Sequence, residues 1–358
     1  HKQHPPVMLS TALIFELGRS KDRLMALSLP KVTIIIPVYN AGPSINRCIE
    51  SILAQTNKSF HVLLINDGSS DDSLERIQQA EKDNPTLFTA LTQNNQGVCA
   101  TRHRGIQESN TEYIMFVDND DYLDPDYVDV LLSNIEHNNS DLVISGYRRT
   151  TEKKVLFEVH APDNAYTPYK ITAPWAKIYR RDLLLNEEVR FLETNLGEDI
   201  LFSLAAYKHA KSIQCVDYIG YNWYSNSCSV SNTKQQGLKA ECDPQILLNS
   251  LNDLYPIKSE RPALFVYFIV RYVVWYLLFS GRTATRARFT QVADSLFAWL
   301  DKNGYRLNFH FYNNEISTES LINRVAVSTL YGLSRFHLIP LFARLYCKGR
   351  PARNTTGR

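Results

Sequence analysis

A dense group of carboxylates, Asp-Asn-Asp-Asp at residues 118–121, follows directly after the apolar run Ile114–Val117. An apolar run that ends in a polar turn is typical of a buried strand of a parallel sheet, and such sheets bind ligands beyond the carboxyl ends of their strands. Asp118 and Asp120 flank one residue, so their oxygens could share one Mg²⁺ or Mn²⁺ ion with water and phosphate oxygens. An acidic surface turn is the alternative, because an Asp-x-Asp pair alone is a weak signal.

The composition is that of a globular protein, and its 358 residues leave room for two domains. The formal net charge of +2 argues against a general nucleic-acid binder. Six cysteines without a Cys-x-x-Cys pair predict reduced thiols, no structural zinc and a cytoplasmic location. The first 30 residues lack the pattern of a secretory signal, and we interpret them as an N-terminal extension without an assigned function.

Strand and helix signals alternate from Val32 to Ser145. The order strand, helix, strand implies right-handed βαβ units, hence an α/β domain with a mostly parallel sheet and helices on both faces. No Gly-x-Gly-x-x-Gly motif follows the first strand, which disfavours a Rossmann dinucleotide-binding domain. We predict strands at 32–36, 60–65, 88–92, 114–117 and 142–145, and helices at 43–55, 72–81, after Gly97 and at 126–137.

Four segments resemble, in order and spacing, the inverting GT-A glycosyltransferases of the large bacterial family 2. The resemblance covers about residues 31 to 230, and the combination is far more specific than any single motif. It implies a GT-A domain at 31–235, with a nucleotide-sugar-binding half at 31–145 and an acceptor half at 146–235, and then a mainly helical region at 236–358. The four segments are Ile36–Asn40, Asn66–Ser69, Asn95–Gly105 and Phe116–Asp121.

The resemblance implies a site for a nucleotide sugar, with a UDP-sugar expected as donor. Pro37 and Tyr39 would line the base pocket, and Asp67 would accept a hydrogen bond from the base or ribose. Arg102 matches the family arginine near the diphosphate. The family often has Ala-Arg-Asn here, whereas this chain has Thr-Arg-His, so His103 is open to two interpretations: an altered donor contact or a structural histidine.

The same resemblance assigns the acidic turn to the donor and its metal. Asp118 is expected beside the ribose or the metal, and Asn119 is expected to contact the donor. Asp120 would ligate the Mn²⁺ or Mg²⁺ ion that bridges both phosphates.

Residues of the second half resemble the acceptor side of the family. Trp175 and Lys177 match a Trp-x-Lys segment under the acceptor; the indole is either a platform for a sugar ring or a core anchor. Glu198 and Asp199 open a helix, where acids also favour the helix dipole. The resemblance makes Asp199 the general base and lets Glu198 orient it or touch the acceptor. One base is enough for an inverting displacement when a metal neutralises the leaving diphosphate.

Between and after these motifs the signals are weaker. We interpret residues 146–172 as an irregular polar excursion, and 212–216 with 218–224 as a hairpin. Family members often carry an arginine in the loop that follows, but residues 225–229 contain none.

The C-terminal region is predicted to be helical. Residues 263–280 are apolar with a central Arg271, which favours a packed or membrane-adjacent helix over a span. The tail at 334–358 mixes apolar and basic residues, which suits either an interfacial helix at anionic lipid or a surface helix with a basic end.

These features predict a metal-dependent sugar transferase that extends a bacterial surface polysaccharide, a lipopolysaccharide or a lipid-linked oligosaccharide. Its partners would be the nucleotide sugar and a glycan or lipid-linked glycan acceptor, without nucleic acid. A peripheral position on the cytoplasmic face of the inner membrane would suit a lipid-linked acceptor. A nucleotidyltransferase and a catalytically silent glycan-binding or scaffold protein are the competing hypotheses, because a fold does not determine chemistry.

Overall fold

A nine-stranded mixed sheet lies at the centre of the computed structural model, which describes residues 29–194, 197–225, 237–240 and 243–347. The spatial order is β3-β2-β1-β4-β8-β6-β9-β5, and β7 pairs with β6 outside this path. Strands β1 to β4 pair in parallel, and β8 lies antiparallel between β4 and β6. The strands are β1 (Val32–Val38), β2 (Phe60–Asp67), β3 (Phe88–Gln93), β4 (Tyr113–Phe116), β5 (Tyr122–Leu123), β6 (Leu142–Thr150), β7 (Val155–Val159), β8 (Lys177–Arg180) and β9 (Ile213–Tyr224).

Helices connect these strands and then form a separate group after the sheet. The predicted α/β sheet followed by a helical region is confirmed. The helices are α1 (Ser44–Leu53), α2 (Ser73–Asp83), α3 (Val98–Glu108), α4 (Tyr127–His137), α5 (Thr167–Lys170), α6 (Arg181–Leu184), α7 (Glu198–His209), α8 (Gln245–Leu254), α9 (Ala263–Gly281), α10 (Arg286–Asn303), α11 (Leu321–Arg335) and α12 (Ile339–Tyr346), with 3-10 turns at Lys258–Glu260 and Asn314–Ile316.

Two predictions for the second half were wrong. The expected hairpin at 212–224 is one strand, β9, which follows β6 in parallel with register shifts near Gly146. The segment expected to be irregular from residue 146 instead continues β6 to Thr150, and β7 returns beside it. Both errors have one cause: β6 and β9 pair with each other over most of their length, and this non-local pairing outweighs the weak local signals.

The core explains why β1 is apolar at every position except Thr33. Its side chains alternate between the two faces of the sheet, and all seven residues are buried. Ile34 and Ile36 pack with residues of α1 and α4 on one face, and Ile35 packs with Ile106 of α3 on the other. Helices on both faces therefore hold the strand ends that carry the polar residues.

The C-terminal helices pack around α9. In the described residues, α9 is the one helix long and apolar enough to cross a membrane, and 67% of its apolar window is buried inside the protein. It contacts α10 and α11, and its Arg271 pairs with the buried Glu319. A packed helix, as the central arginine indicated, is what the structure contains.

Some predictions fall outside the described residues. These are most of the N-terminal extension, the loop at 226–229, the proposed boundary between 235 and 236, and the basic end from residue 348. The division into domains stays a prediction.

Gly105 provides a test of the contact between α3 and β1. A Cβ atom at Gly105 would lie 2.4 Å from Cγ2 of Ile35. We expect Gly105→Ala to lower the free energy of unfolding by about 1–3 kcal/mol, because β1 is held on both faces and cannot yield. Denaturant unfolding measures the change.

Gly332→Ala is the matched control. Gly332 lies within α11 and no atom lies within 4 Å of the added Cβ, so helix propensity should raise the stability by up to about 1 kcal/mol. Equal effects of the two substitutions would contradict the packing that we describe.

Candidate active site

One cavity of about 910 Å³ collects all of the residues expected at the donor, together with Asp120. It opens at the carboxyl ends of β1, β2 and β4, where parallel strands bring their following loops together. The cavity is lined by Pro37, Tyr39, Asp67, Arg102, Asp118, Asn119 and Asp120, among others. The sequence therefore identified residues that share one site, although their individual roles stay predictions.

The loop after β1 presents an aromatic ring to this cavity. Tyr39 is 51% exposed, which leaves its ring available for stacking. Asn119 donates to the carbonyl of Pro37 at 2.9 Å, and Asn40, with a positive φ of 45°, accepts from the backbone of Ser70 at 2.8 Å. These bonds brace the loop that carries Tyr39.

Asp67 is buried and holds the start of α3. Its carboxylate accepts from the backbone N–H groups of Gln96 and Gly97 at 2.9 and 2.8 Å, and from the side chain of Gln93 at 2.9 Å. A carboxylate has about four acceptor positions, so one remains for a ligand hydroxyl or base. The structure thus adds a structural role to the predicted ligand contact.

Arg102 joins two carboxylates that the chain places far apart. Its side chain is buried, and its two terminal nitrogens donate to Asp118 and to Asp199, each at 2.7 Å. Arg102 and Asp199 are 97 residues apart in sequence. The family resemblance predicted a diphosphate contact for Arg102, and that contact stays a prediction. In the structure both terminal nitrogens bond to carboxylates, so Arg102 holds Asp118 and Asp199 relative to each other.

Asp199 has the properties that a general base needs. Burial raises its pKa to about 7, although the positive charge of Arg102 opposes the shift. About 27% of its side chain remains exposed, so a hydroxyl group can reach it. Glu198 precedes it at the start of α7, and its negative charge also raises the pKa of Asp199.

The residues of the acidic turn fit a divalent cation. Burial, and then the negative charge of Asp118, raise the pKa of Asp120, so a cation here would relieve carboxylate repulsion. One oxygen of Asp118 already accepts from Arg102. The described residues hold no group of three or more His, Cys, Asp or Glu side chains that could bind an ion alone. Two carboxylates that need phosphate oxygens to complete the shell match the preference of Mg²⁺ or Mn²⁺.

Three further residues around this turn were given no role by the sequence analysis, although Asp121 lies within the acidic group that it identified. Asp121 is buried and accepts from the hydroxyl of Tyr221 at 2.7 Å and from the backbone of Tyr224 at 2.8 Å. Arg47 donates to the carbonyl of Asp120 at 2.6 Å, and Arg149 stacks on Trp223. The partners of these residues are distant in the chain, so no spacing signal could have revealed the contacts.

Trp175 and Lys177 lie deeper than an acceptor contact requires. Trp175 is 7% exposed and stacks on Tyr221 with ring centroids 4.6 Å apart. The ammonium of Lys177 is fully buried and donates to the carbonyls of Ala173 and Trp175, and burial lowers its pKa to about 7. Their burial supports the core-anchor interpretation of Trp175, beneath the site, and the same kind of position for Lys177.

His103 is not among the residues that line the donor cavity. It lines a second cavity of about 840 Å³, with Cys99, Arg104, Arg190 and Phe191. Phe191 also lies 5.3 Å below the guanidinium of Arg102, so this second cavity borders the Arg102–Asp199 pair.

Comparisons with known proteins find relatives among glycosyltransferases. Residues 33–190 match the family described as "Glycosyl transferase family 2". The chain is 30% identical over 201 residues to the poly(ribitol-phosphate) beta-glucosyltransferase of Bacillus spizizenii, which covers 53% of this chain and 32% of that protein. The chain spans between 27% and 66% of the length of the first curated relatives that it matches.

Solved structures share the fold at low sequence identity. TarS 1–349 of S. aureus in complex with UDP-GlcNAc has a TM-score of 0.54 and 19% identity, over 88% of this chain and 90% of TarS 1–349. The mannosyltransferase PcManGT of Pyrobaculum calidifontis, in complex with GDP-Man and Mn²⁺, has a TM-score of 0.51 and 14% identity, over 90% of this chain and 95% of that one.

Arg102→Lys tests the bridge between the two carboxylates. A lysine ammonium is a point charge without the planar fork that reaches both Asp118 and Asp199, so one carboxylate loses its partner. We expect the free energy of unfolding to fall by about 2 kcal/mol, as measured by denaturant unfolding.

Arg104→Lys is the control, at a position two residues further along α3. Arg104 donates to the carbonyl of Thr92, which an ammonium can replace, so we expect a change within about 0.5 kcal/mol. If Arg104→Lys lowers the free energy of unfolding as much as Arg102→Lys does, the bridge does not contribute more to stability than an ordinary arginine contact.

Proposed function

We propose that the chain is a member of Glycosyl transferase family 2, a proposal supported by the match of residues 33–190, and that it transfers a sugar from a UDP-sugar to a hydroxyl group of a glycan or lipid-linked glycan, with inversion at the anomeric carbon. The observation that carries this proposal is the Arg102 bridge, because it fixes a carboxylate of the acidic turn beside the candidate base. A donor bound in the cavity would then present its sugar between the two carboxylates.

The donor assignment is supported by the polarity of the cavity. Tyr39 offers a ring to a base, and the side chain of Asp67 has an acceptor position for a base edge or ribose hydroxyl. The complex of TarS with UDP-GlcNAc supports a uridine nucleotide, since that protein has the same fold. The related beta-glucosyltransferase supports a polymeric acceptor in the biosynthesis of bacterial surface polysaccharide and a β-linked product.

In this proposal Asp199 is the general base for the attacking hydroxyl group. With a pKa near 7 it is ionised to a useful extent at neutral pH and strong enough to accept the proton of the attacking hydroxyl. Arg102 keeps the carboxylate in position, and Glu198 increases its basicity by negative charge. Asp118 and Asp120 would hold Mn²⁺ or Mg²⁺, which supplies positive charge to the departing diphosphate.

Asp199→Asn tests this function. We expect UDP release from UDP-GlcNAc or UDP-glucose, measured with a bacterial glycan fraction and Mn²⁺, to fall at least about 100-fold, while UDP binding measured by calorimetry is kept. For the wild type, turnover should rise with pH through about 7, because Asp199 must lose its proton to act. EDTA should abolish turnover.

Glu188→Gln is the control for lost charge. Glu188 is an exposed carboxylate that pairs with Lys208 and His209 of α7, away from Arg102, and its loss should leave turnover unchanged. Turnover retained in Asp199→Asn would refute the base. Wild-type protein that binds UDP but turns over no donor would favour the silent glycan-binding alternative.

We also propose that the C-terminal helices touch an anionic membrane surface, which would place the protein on the cytoplasmic face of the inner membrane. An apolar groove of about 560 Å³ lies between α9, α11 and α12, and Ile322 and Leu345 are strongly exposed near it. Arg324 and Arg344 lie on the same two helices, and four basic residues follow Cys347 in the sequence. Apolar area combined with basic charge is what an interfacial surface requires.

Ile322→Glu tests this contact. We expect it to reduce cosedimentation with vesicles that contain phosphatidylglycerol several-fold, because it places a negative charge in the apolar face. Leu156→Glu, an exposed position on β7, is the control and should leave binding unchanged. No sedimentation of the wild-type protein with these vesicles would rule the contact out.

A further inference from the structure

Arg149 is a buried cation on β6, near the segment of β9 that bonds to the acidic turn. It lies near the end of β6, is 6% exposed, and its guanidinium carbon is 3.5 Å from the centre of the Trp223 ring. Such stacking fixes the plane of the guanidinium and leaves its edge nitrogens as donors. The side chain is therefore held in place before any ligand binds.

The edge of this guanidinium is not satisfied by the protein. Among the buried side-chain atoms without a hydrogen-bond partner in the described residues, Nη1 of Arg149 is the one terminal guanidinium nitrogen. Nη2 makes only a long contact of 3.5 Å with the hydroxyl of Ser225. A buried donor without a partner costs free energy, and a charged one costs more, so the position calls for an anion.

The acids that act on Arg149 belong to the acidic turn. Burial lowers the pKa of Arg149, while the charges of Asp121 and Asp120 raise it. Asp121 is already bonded to Tyr221 and Tyr224, so it is not the missing partner. Arg149 lies opposite Trp223 in the β6–β9 pairing, and the next residue, Tyr224, donates its backbone N–H to Asp121. Asp120, which precedes Asp121, lines the donor cavity, so this chain of contacts places Arg149 close to where phosphates would lie.

The other cations at the turn are engaged. Both terminal nitrogens of Arg102 bond to carboxylates. Arg47 donates to the carbonyl of Asp120 and lies 3.6 Å from the ring centre of Tyr224. Of the described arginines in this group, Arg149 is thus the one with a terminal nitrogen that is buried and unpaired.

We propose that Arg149 binds the diphosphate of the nucleotide sugar through Nη1, an inference that rests on the proposed function. In that reaction the acceptor oxygen bonds to the anomeric carbon and gives its proton to Asp199. The bond between the anomeric carbon and the diphosphate oxygen breaks, and its electron pair leaves with the diphosphate. Arg149 donates to the oxygens that gain this charge, so it is a catalytic residue that also tightens donor binding.

Binding of uridine, UMP and UDP to the wild type and to Arg149→Gln separates the phosphates from the base. Calorimetry with Mn²⁺, and again with EDTA, gives each affinity without turnover. We expect Arg149→Gln to weaken UDP by about tenfold to a hundredfold and to leave uridine unchanged. The loss should persist in EDTA, because the contact is made by the protein itself.

Arg148→Gln is the matched control. Arg148 is adjacent on β6, so its side chain points to the opposite face, and it pairs with Asp124 and Glu158. Its substitution should leave the ratio of UDP to uridine affinity unchanged. If Arg149→Gln does not fold, Arg149→Lys serves instead, with a smaller loss of UDP affinity expected.

The outcomes separate the two proposals. An unchanged ratio of UDP to uridine affinity in the folded Arg149 variant overturns the inference, and leaves the proposed transferase intact. A wild-type protein that binds neither UDP nor uridine overturns the donor assignment itself. A loss confined to UDP, absent from Arg148→Gln, supports Arg149 as the diphosphate ligand.

Discussion

The bridge from Arg102 to Asp118 and Asp199 is the interaction on which the candidate site depends. A buried guanidinium without partners would be costly, so the two carboxylates and the arginine stabilise one another only when all three meet. The strand β4, the helix α3 and the helix α7 must therefore pack in one relative position. The fold and the geometry of the site are determined by the same contact.

Other hydrogen bonds around the cavity also join segments that are distant in the sequence. Asp67 at the end of β2 holds the residues that begin α3. The hydroxyl of Tyr221 on β9 bonds to Asp121. Each carboxylate at a strand end thus fixes a neighbouring segment, and the side chains that remain accessible are those in position to bind a ligand.

Some charged groups of this network have hydrogen-bond partners in the protein, and others do not. Asp121 accepts from two donors, and both terminal nitrogens of Arg102 bond to carboxylates. By contrast, burial and the charge of Asp118 raise the pKa of Asp120, and Nη1 of Arg149 has no partner in the described residues. A cation near Asp120 and an anion near Arg149 would relieve both at once. A nucleoside diphosphate with its metal, the ligand that we propose for this cavity, would supply that pair of charges.

The sequence alone determined the βαβ order, the family motifs and the set of residues that share the donor cavity, because local periodicity and short motifs are encoded by neighbours in the chain. Only the tertiary structure decided that Arg102 bonds to carboxylates, that Trp175 and Lys177 lie in the core, and that β9 is one long strand. These depend on partners far away in sequence, as with Arg102 and Asp199, 97 residues apart. Contacts of that kind arise from packing, and no spacing rule in a single chain specifies them.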